Sequence, residues 1–386
     1  MKTNFTILVV LLCLEVVNAY GQSAHSFVFE TKQREYILHV PNIYTQANED
    51  VPLVVVLHGL GDNMNNMSQV GFHQIADTAN FIVATPQALP DPDPLVGMLG
   101  AAWNSGAAMF GITPNAALND VGFLTALVDT ISAQYNIDPN RIYFTGFSMG
   151  GYMSNRMACE RSDRVAAIAS VAGTIGASIT CSPDNPVATL HCHGTADAVV
   201  NYANNLSGMD AEALVEFWRS HNNCEATPIH TNLPNTNTTD GYTVEHFLYP
   251  NGDLGTSTEF YKVTGADHTW LGPNNDIYYT REIWRFLSSH SKASSSNIIN
   301  NAPDNTPLWT AYPNPTQDVL HLDFATNNSP YNGGLLLLSD MAGHVWHLSE
   351  LTTTHLDINT GSLPKGIYLL QWQHKNGLQT KRILIK

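Results

Sequence analysis

The sequence predicts an α/β fold built on a mostly parallel, doubly wound sheet, followed by a small C-terminal β-sandwich. Three observations carry this. Apolar strand runs without polar alternation recur between Pro52 and Cys192, separated by helical periods, the pattern of a parallel sheet covered on both faces. Ser289 to Pro307 is rich in Ser, Asn and Pro and reads as a linker. The last stretch, about 80 residues, alternates in short strands between turn residues, as a sandwich does.

Each element follows in order. Ser26 to Pro41 reads as a hairpin, with Phe27-Val-Phe29 and Tyr36 to Val40 as its arms. Pro52 to Leu57 and Phe81 to Ala84 are continuous apolar strands. Phe123, Leu124, Leu127, Val128 and Ile131 share one side of a helix over Val121 to Tyr135. Ile142-Tyr-Phe144 is a buried strand, and Tyr152 to Glu160 the helix after it. Strands Ala166 to Val171 and Val187 to Cys192 come next, then a helix from Asp210 to His221, a strand around Phe260 to Val263, and a last helix from Thr280 to Leu287. The sandwich strands are Val319–Phe324, Leu335–Ser339, His344–Leu348, Thr354–Ile358, Ile367–Trp372 and Thr380–Ile385. Four divisions result: a leader at 1–21, an α/β domain at 22–290, a linker at 291–307 and the sandwich at 308–386.

Composition bounds the function. Of the 386 residues 44% are hydrophobic, ample for a core, and only 13% are charged. The formal charge of −16 argues against nucleic acid, whose phosphates would be repelled. Lys2 followed by the apolar run Phe5 to Val17 resembles a secretory leader, too short to span a bilayer. Val17-Asn-Ala19 and Ala19-Tyr-Gly21 offer small-residue cleavage sites, and no later segment approaches membrane-spanning length.

The chemistry centres on Gly146-Phe-Ser-Met-Gly150. A strand, a Gly-x-Ser-x-Gly turn and a helix form a nucleophile elbow, which presents Ser148 for attack. A serine hydroxyl needs a base, and the base an orienting carboxylate. His193-Gly-Thr-Ala-Asp197 and Gly265-Ala-Asp-His-Thr-Trp270 both follow predicted strands, so Asp197 and His268 fall where open α/β sheets place their sites. Asp267 is the weaker carboxylate, because its side chain would have to fold back. His58-Gly-Leu-Gly61 closes another strand with a turn. The N–H groups of Leu60 and Met149 suit an oxyanion hole, and His58 itself fits a role in holding that turn.

With these pieces in order, residues 30 to 290 resemble the secreted polyhydroxybutyrate depolymerase and feruloyl esterase group within carbohydrate esterase family 1. The matching stretches are Val55-Val-Leu-His-Gly59, Asn119-Asp-Val-Gly-Phe123, Gly146-Phe-Ser-Met-Gly-Gly151, Ala169-Ser-Val-Ala-Gly173, His193-Gly-Thr-Ala-Asp197, His268-Thr-Trp270 and Asn275-Asp-Ile277. The resemblance implies an α/β-hydrolase with Ser148 as nucleophile, Asp197 as orienter and His268 as base, cleaving ester bonds with no metal or cofactor. Leu271 departs from the Pro usual after His-Thr-Trp. Tyr312-Pro-Asn-Pro315, Gly343, Leu363-Pro-Lys-Gly-Ile-Tyr368 and the terminal Lys381-Arg-Ile-Leu-Ile-Lys386 resemble the sorting domain of the type IX secretion system. That second resemblance implies a partner in the outer-membrane export machinery, and a secreted or surface-held enzyme that has crossed periplasm and outer membrane. A carbohydrate-binding sandwich is the other reading, with Trp346 and Trp372 as its platform.

The expected function is serine carboxylic-ester hydrolysis through an acyl-enzyme, of the polyhydroxybutyrate depolymerase type. A feruloyl or acetylxylan esterase stands second, and a binding protein on an inactive hydrolase fold stands last. Several residues have blander readings. His191-Cys-His193 has the spacing of a metal pair, but in a buried strand it lacks an evident third ligand and reads as structural. Asp120 reads as a helix cap. Leu89 to Leu118 is a long charge-poor loop, expected to wall the substrate with Trp103 and Trp270. Of the four cysteines after the leader, helix topology brings Cys159, Cys181 and Cys224 to one end of the sheet. The expected disulfide is Cys181–Cys224, with Cys192 a buried thiol.

Overall fold

The computed structural model describes residues 21–45, 50–109, 111–292, 309–324, 334–340, 345–351, 353–374 and 377–386. The leader (1–20) and nearly all of the linker (293–308) lie outside the described residues. Gly21, counted above with the leader, opens the first strand. The chain divides between residues 294 and 295 into two compact units.

The N-terminal unit runs β1 (Gly21–Phe29), β2 (Lys32–Val40), β3 (Val51–Leu57), α1 (Met64–Met67), α2 (Phe72–Ala79) and β4 (Ile82–Pro86). A small ribbon of β5 (Leu89–Pro90) and β6 (Ala101–Ala102) encloses α3 (Pro94–Gly97). Then come α4 (Asp120–Ser132), β7 (Ile137–Phe147), α5 (Met149–Glu160), β8 (Ala167–Val171), β9 (Ala188–Gly194) and α6 (Ala211–His221). β10 (Ile229–Asn232), β11 (Thr243–Tyr249), β12 (Thr258–Thr264) and α7 (Tyr279–Ser288) complete it.

Among the described residues ten of these twelve strands, all but β5 and β6, form one sheet ordered β1-β2-β4-β3-β7-β8-β9-β12-β11-β10. The six central strands, β4 to β12 in that order, are parallel. Antiparallel pairs border them on both sides. Every residue of β3, β8 and β9 is buried, which is why those segments show no alternation of apolar with exposed polar residues. One face packs against α4, α5 and α6 through Phe123, Leu127, Met153, Leu214 and Trp218. The other packs against α2 and α7 through Phe72, Ala76, Ile283 and Phe286.

Two expectations are corrected here. The disulfide joins Cys159 to Cys181, whose Cα atoms are 5.0 Å apart, and not Cys181 to Cys224. The crossing from β8 to β9 returns beside the end of α5, where Asn185 donates its N–H to Ser162 Oγ at 3.2 Å. Cys224, in the turn after α6, lies against β12, one strand further along, with its thiol 3.8 Å from Thr258 Oγ1; Cys192 and Cys224 are buried free thiols. The cap of α4 is Asn119, which accepts from Gly122 N, and not Asp120. Asp120 is buried and pairs with Arg34 at 2.8 Å, while its second oxygen accepts from Asn104 N at 2.8 Å. It ties β2 to the loop beyond β6 through a partner 86 residues away.

The C-terminal unit comprises β13 (Trp309–Tyr312), β14 (Val319–Phe324), β15 (Leu335–Asp340), β16 (Val345–Glu350), β17 (His355–Asn359), β18 (Gly366–His374) and β19 (Gly377–Ile385). They form a sheet ordered β13-β14-β17 and another ordered β16-β15-β18-β19. Alternate residues (Leu320, Leu322 and Phe324; Leu336 and Leu338; Leu370 and Trp372) turn into a shared core, the two-residue period of half-buried strands. Trp372 packs on Phe324 at 4.8 Å inside that core, so it does not join Trp346 as a sugar platform.

Candidate active site

Ser148 sits between the end of β7 and the start of α5, with φ 54° and ψ −119°. That backbone is costly for a residue with a Cβ, on the order of 1–3 kcal/mol. Its neighbours hold it there: Ser148 N–H donates to Val171 O at 2.8 Å, and Tyr152 N–H donates to Ser148 O at 3.1 Å. The two glycines have a steric reason. A Cβ on Gly146 would fall 2.5 Å from the Gly150 backbone, and one on Gly150 would fall 2.1 Å from Leu57 O.

Asp197 follows β9 and is buried. Its Oδ1 accepts the N–H groups of Val199 and Val200 at 2.9 and 2.8 Å, and its Oδ2 accepts His268 Nδ1–H at 2.7 Å. Burial alone would raise the Asp197 carboxyl. Hydrogen bonds from His193 and His268 outweigh it and hold the group well below the usual carboxylate range. The loops carrying Asp197 and His268 are laced together by Thr195 N–H to Val263 O at 2.9 Å and Ala196 N–H to Ala266 O at 3.0 Å. With Nδ1 committed to Asp197, Nε2 is the ring nitrogen left for proton transfer. The His268 ring lies 4.7 Å from that of Phe147, the residue before Ser148.

The turn after β3 lies against the serine: a Cβ on Gly59 would meet Ser148 Cβ at 3.4 Å. Leu60 follows at once. Met149 opens α5, so its N–H belongs to the first turn that a helix leaves unpaired. His58 is buried and holds this turn. Its Nε2 accepts Ala88 N–H at 3.0 Å, which fixes the proton on Nδ1, and Nδ1–H donates to Gly59 O at 2.7 Å. Burial lowers its pKa, keeping the ring neutral.

Trp103, expected to wall the substrate, is fully buried, which corrects that expectation. Its Nε1–H donates to His58 O at 2.9 Å, and its ring lies 5.2 Å from that of His58. A Trp beneath the turn fills the interior and satisfies its one polar atom; it supports the turn from within. Trp270 is partly exposed, its ring 6.5 Å from Phe147 and its Nε1–H bonded to Thr280 Oγ1 at 3.1 Å.

Behind Asp197 lies a buried chain that sequence reasoning recognised only in part. His193 Nε2–H donates to Val200 O at 2.8 Å and lies 3.4 Å from Asp197 Oδ2. His193 Nδ1 therefore accepts from His191 Nε2–H at 3.0 Å, and His191 Nδ1 accepts from Ser170 Oγ–H at 2.8 Å. Burial and the neighbouring His193 keep His191 well below the usual imidazole range. Both histidines thus serve hydrogen bonds, as the buried-strand reading expected. Ser170, opposite His191 in the β8–β9 register, was legible only as part of an apolar strand.

Residues 38–251 match the model of the phospholipase/carboxylesterase family. The chain belongs to this family. Residues 310–386 match the model of the secretion system C-terminal sorting domain. The carboxylesterase chain is similar to a bifunctional acetylxylan esterase/xylanase of Neocallimastix patriciarum, 26% identical over 274 residues, covering 69% of this chain and 35% of that protein. It is 30% identical over 217 residues to feruloyl esterase B of Piromyces equi, covering 53% of this chain and 38% of that protein. A probable feruloyl esterase C of Aspergillus niger is 28% identical over 260 residues, covering 63% of this chain and 84% of that protein. The match thus spans little more than a third of the length of the first two relatives.

Proposed function

We propose that this carboxylesterase-family chain is an exported serine hydrolase that cleaves feruloyl or acetyl esters of plant cell-wall polysaccharide. The reading rests chiefly on the 2.7 Å hydrogen bond between Asp197 and His268, beside a serine held at φ 54°. The ester class follows the printed names of the relatives, which are feruloyl and acetylxylan esterases. That favours the second sequence expectation over polyhydroxybutyrate depolymerisation.

In this mechanism Ser148 Oγ attacks the ester carbonyl while His268 Nε2 takes its proton. Asp197 holds the imidazole and stabilises its charged form. The N–H groups of Leu60 and Met149 receive the oxyanion, each contributing on the order of 3 kcal/mol in the transition state. Collapse breaks the bond to the alcohol, which leaves with the proton from His268. Water, deprotonated by the same ring, then releases the acid and restores Ser148. Trp270 borders the acyl group. Export, in this proposal, uses the N-terminal leader and recognition of the C-terminal unit by type IX machinery, a role supported by the sorting-domain match.

The test measures ferulate and acetate released from esterified xylan against hydroxybutyrate released from polyester. Ferulate or acetate should dominate, and Ser148→Ala should lose roughly 10⁴–10⁶-fold in kcat. Dominant hydroxybutyrate release overturns the substrate class alone. Undiminished hydrolysis by Ser148→Ala overturns the triad.

A further inference from the structure

The C-terminal unit carries the same tripeptide twice, His321-Leu-Asp323 in β14 and His355-Leu-Asp357 in β17. The strands pair antiparallel with Leu322 opposite Leu356, so His321 faces Asp357 and Asp323 faces His355. The leucines turn into the core. The four polar side chains therefore stand together on the outer face, two residues apart along each strand.

Their contacts form an ordered set. His321 Nδ1 lies 2.7 Å and His355 Nε2 3.0 Å from the same oxygen, Asp357 Oδ1. The other nitrogen of His355, Nδ1, bonds Asp323 Oδ1. Asp323 Oδ2 in turn accepts the Tyr312 hydroxyl of β13 at 2.6 Å. The two imidazole rings are near-parallel, 6.1 Å apart. One donor atom each from His321, His355 and Asp357 lies within 4.8 Å of the others.

We propose that His321, His355 and Asp357 bind a divalent cation of the zinc class, with Asp323 and Tyr312 orienting His355. Two imidazoles and a carboxylate are the donors such ions select, whereas calcium and magnesium favour all-oxygen sets. A metal-bound histidine commonly donates its second N–H to a carboxylate that fixes ring and tautomer; Asp323 already does this for His355. Tetrahedral bonds of about 2.0–2.1 Å place donors roughly 3.3 Å apart, so the pairs at 2.7 and 3.0 Å need to open by only about half an ångström. Three protein donors leave a fourth position for water or for a group on another molecule.

His355 contacts carboxylates through both nitrogens. Asp318 and Lys386 line a pocket together with His321.

The experiment is competition for Zn²⁺ between a chromophoric chelator and the full chain. The wild type should hold one more equivalent than the His321→Ala/His355→Ala double variant. Asp323→Asn, which keeps every ligand, should weaken that equivalent about 10–100-fold. Ca²⁺ should not compete. Equal binding by wild type and double variant overturns the site, as does equal competition by Ca²⁺. An Asp323→Asn affinity equal to the wild type reduces the site to two adventitious surface histidines and overturns the proposal as well.

Discussion

In the N-terminal unit His58 and His191 are buried, each engaged through both ring nitrogens, one by a near neighbour in sequence (Gly59, His193) and one by a residue of another segment (Ala88, Ser170). In the C-terminal unit His321 and His355 stand on a solvent-facing strand surface among carboxylates placed by strand register. Burial disfavours charge on the first pair. Adjacent carboxylates favour it on His355. One unit thus orders its polar groups through its interior, where function and stability depend on the same contacts. The other orders them at its surface, where the leucines between carry the fold and the polar residues are free to serve a ligand.

The sharpest way to break this contrast is a change inside the first unit. Trp103→Ala removes a fully buried ring beneath the turn carrying Leu60, and should cost about 3–5 kcal/mol. Hydrolysis of a bulky aromatic ester and of a small acetate should fall together. A selective loss on the bulky ester alone would return Trp103 to the substrate wall. By comparison, His355→Ala, at an exposed position, should leave the melting temperature nearly unchanged, with ester hydrolysis unaltered.

His193→Ala probes the chain behind Asp197. It leaves the buried His191 Nε2–H without its acceptor, worth about 1–3 kcal/mol, and removes one hydrogen bond that holds Asp197 ionised. Stability and kcat should both decline, with kcat declining further as the pH is lowered. A pH profile unchanged in shape would confine His193 to packing.

The smallest expected effect is a difference in sign with pH. His58 and His191 have folded-state pKa values below the ordinary 6.5. The unfolded chain therefore binds more protons below about pH 6.5, and the N-terminal unit should lose stability as the pH falls through that range. His355 is shifted upward. Its contribution is present below about pH 6.5 and is lost as the pH rises through the raised value, weakly because the group is exposed. Calorimetry of the full chain between pH 5 and 8 should show the two units responding oppositely, and His355→Ala should flatten only the C-terminal response.

Much of this was legible from the sequence because it rests on local rules. Continuous apolar runs located β3 and β4, the lack of polar alternation located β8 and β9, and alternation located all the sandwich strands except β13. The glycines around Ser148 announced a turn that admits no Cβ, and the order of Ser148, Asp197 and His268 placed three residues at the ends of different strands. α2 escaped notice because only Phe72 and Ala76 of its eight residues are buried, too few to display a helical period.

What tertiary structure alone decided has a common physical cause: each case turns on a partner that no local pattern names. Cys159 rather than Cys224 meets Cys181 because of where one crossing passes α5. Asp120 answers Arg34 across 86 residues. Trp103 is interior because His58 O lies above it. The two His-Leu-Asp tripeptides become a single cluster only through the register that sets Leu322 against Leu356. Strand and turn preferences act over a few residues and can be read in one dimension; which buried groups satisfy one another is a property of the folded chain.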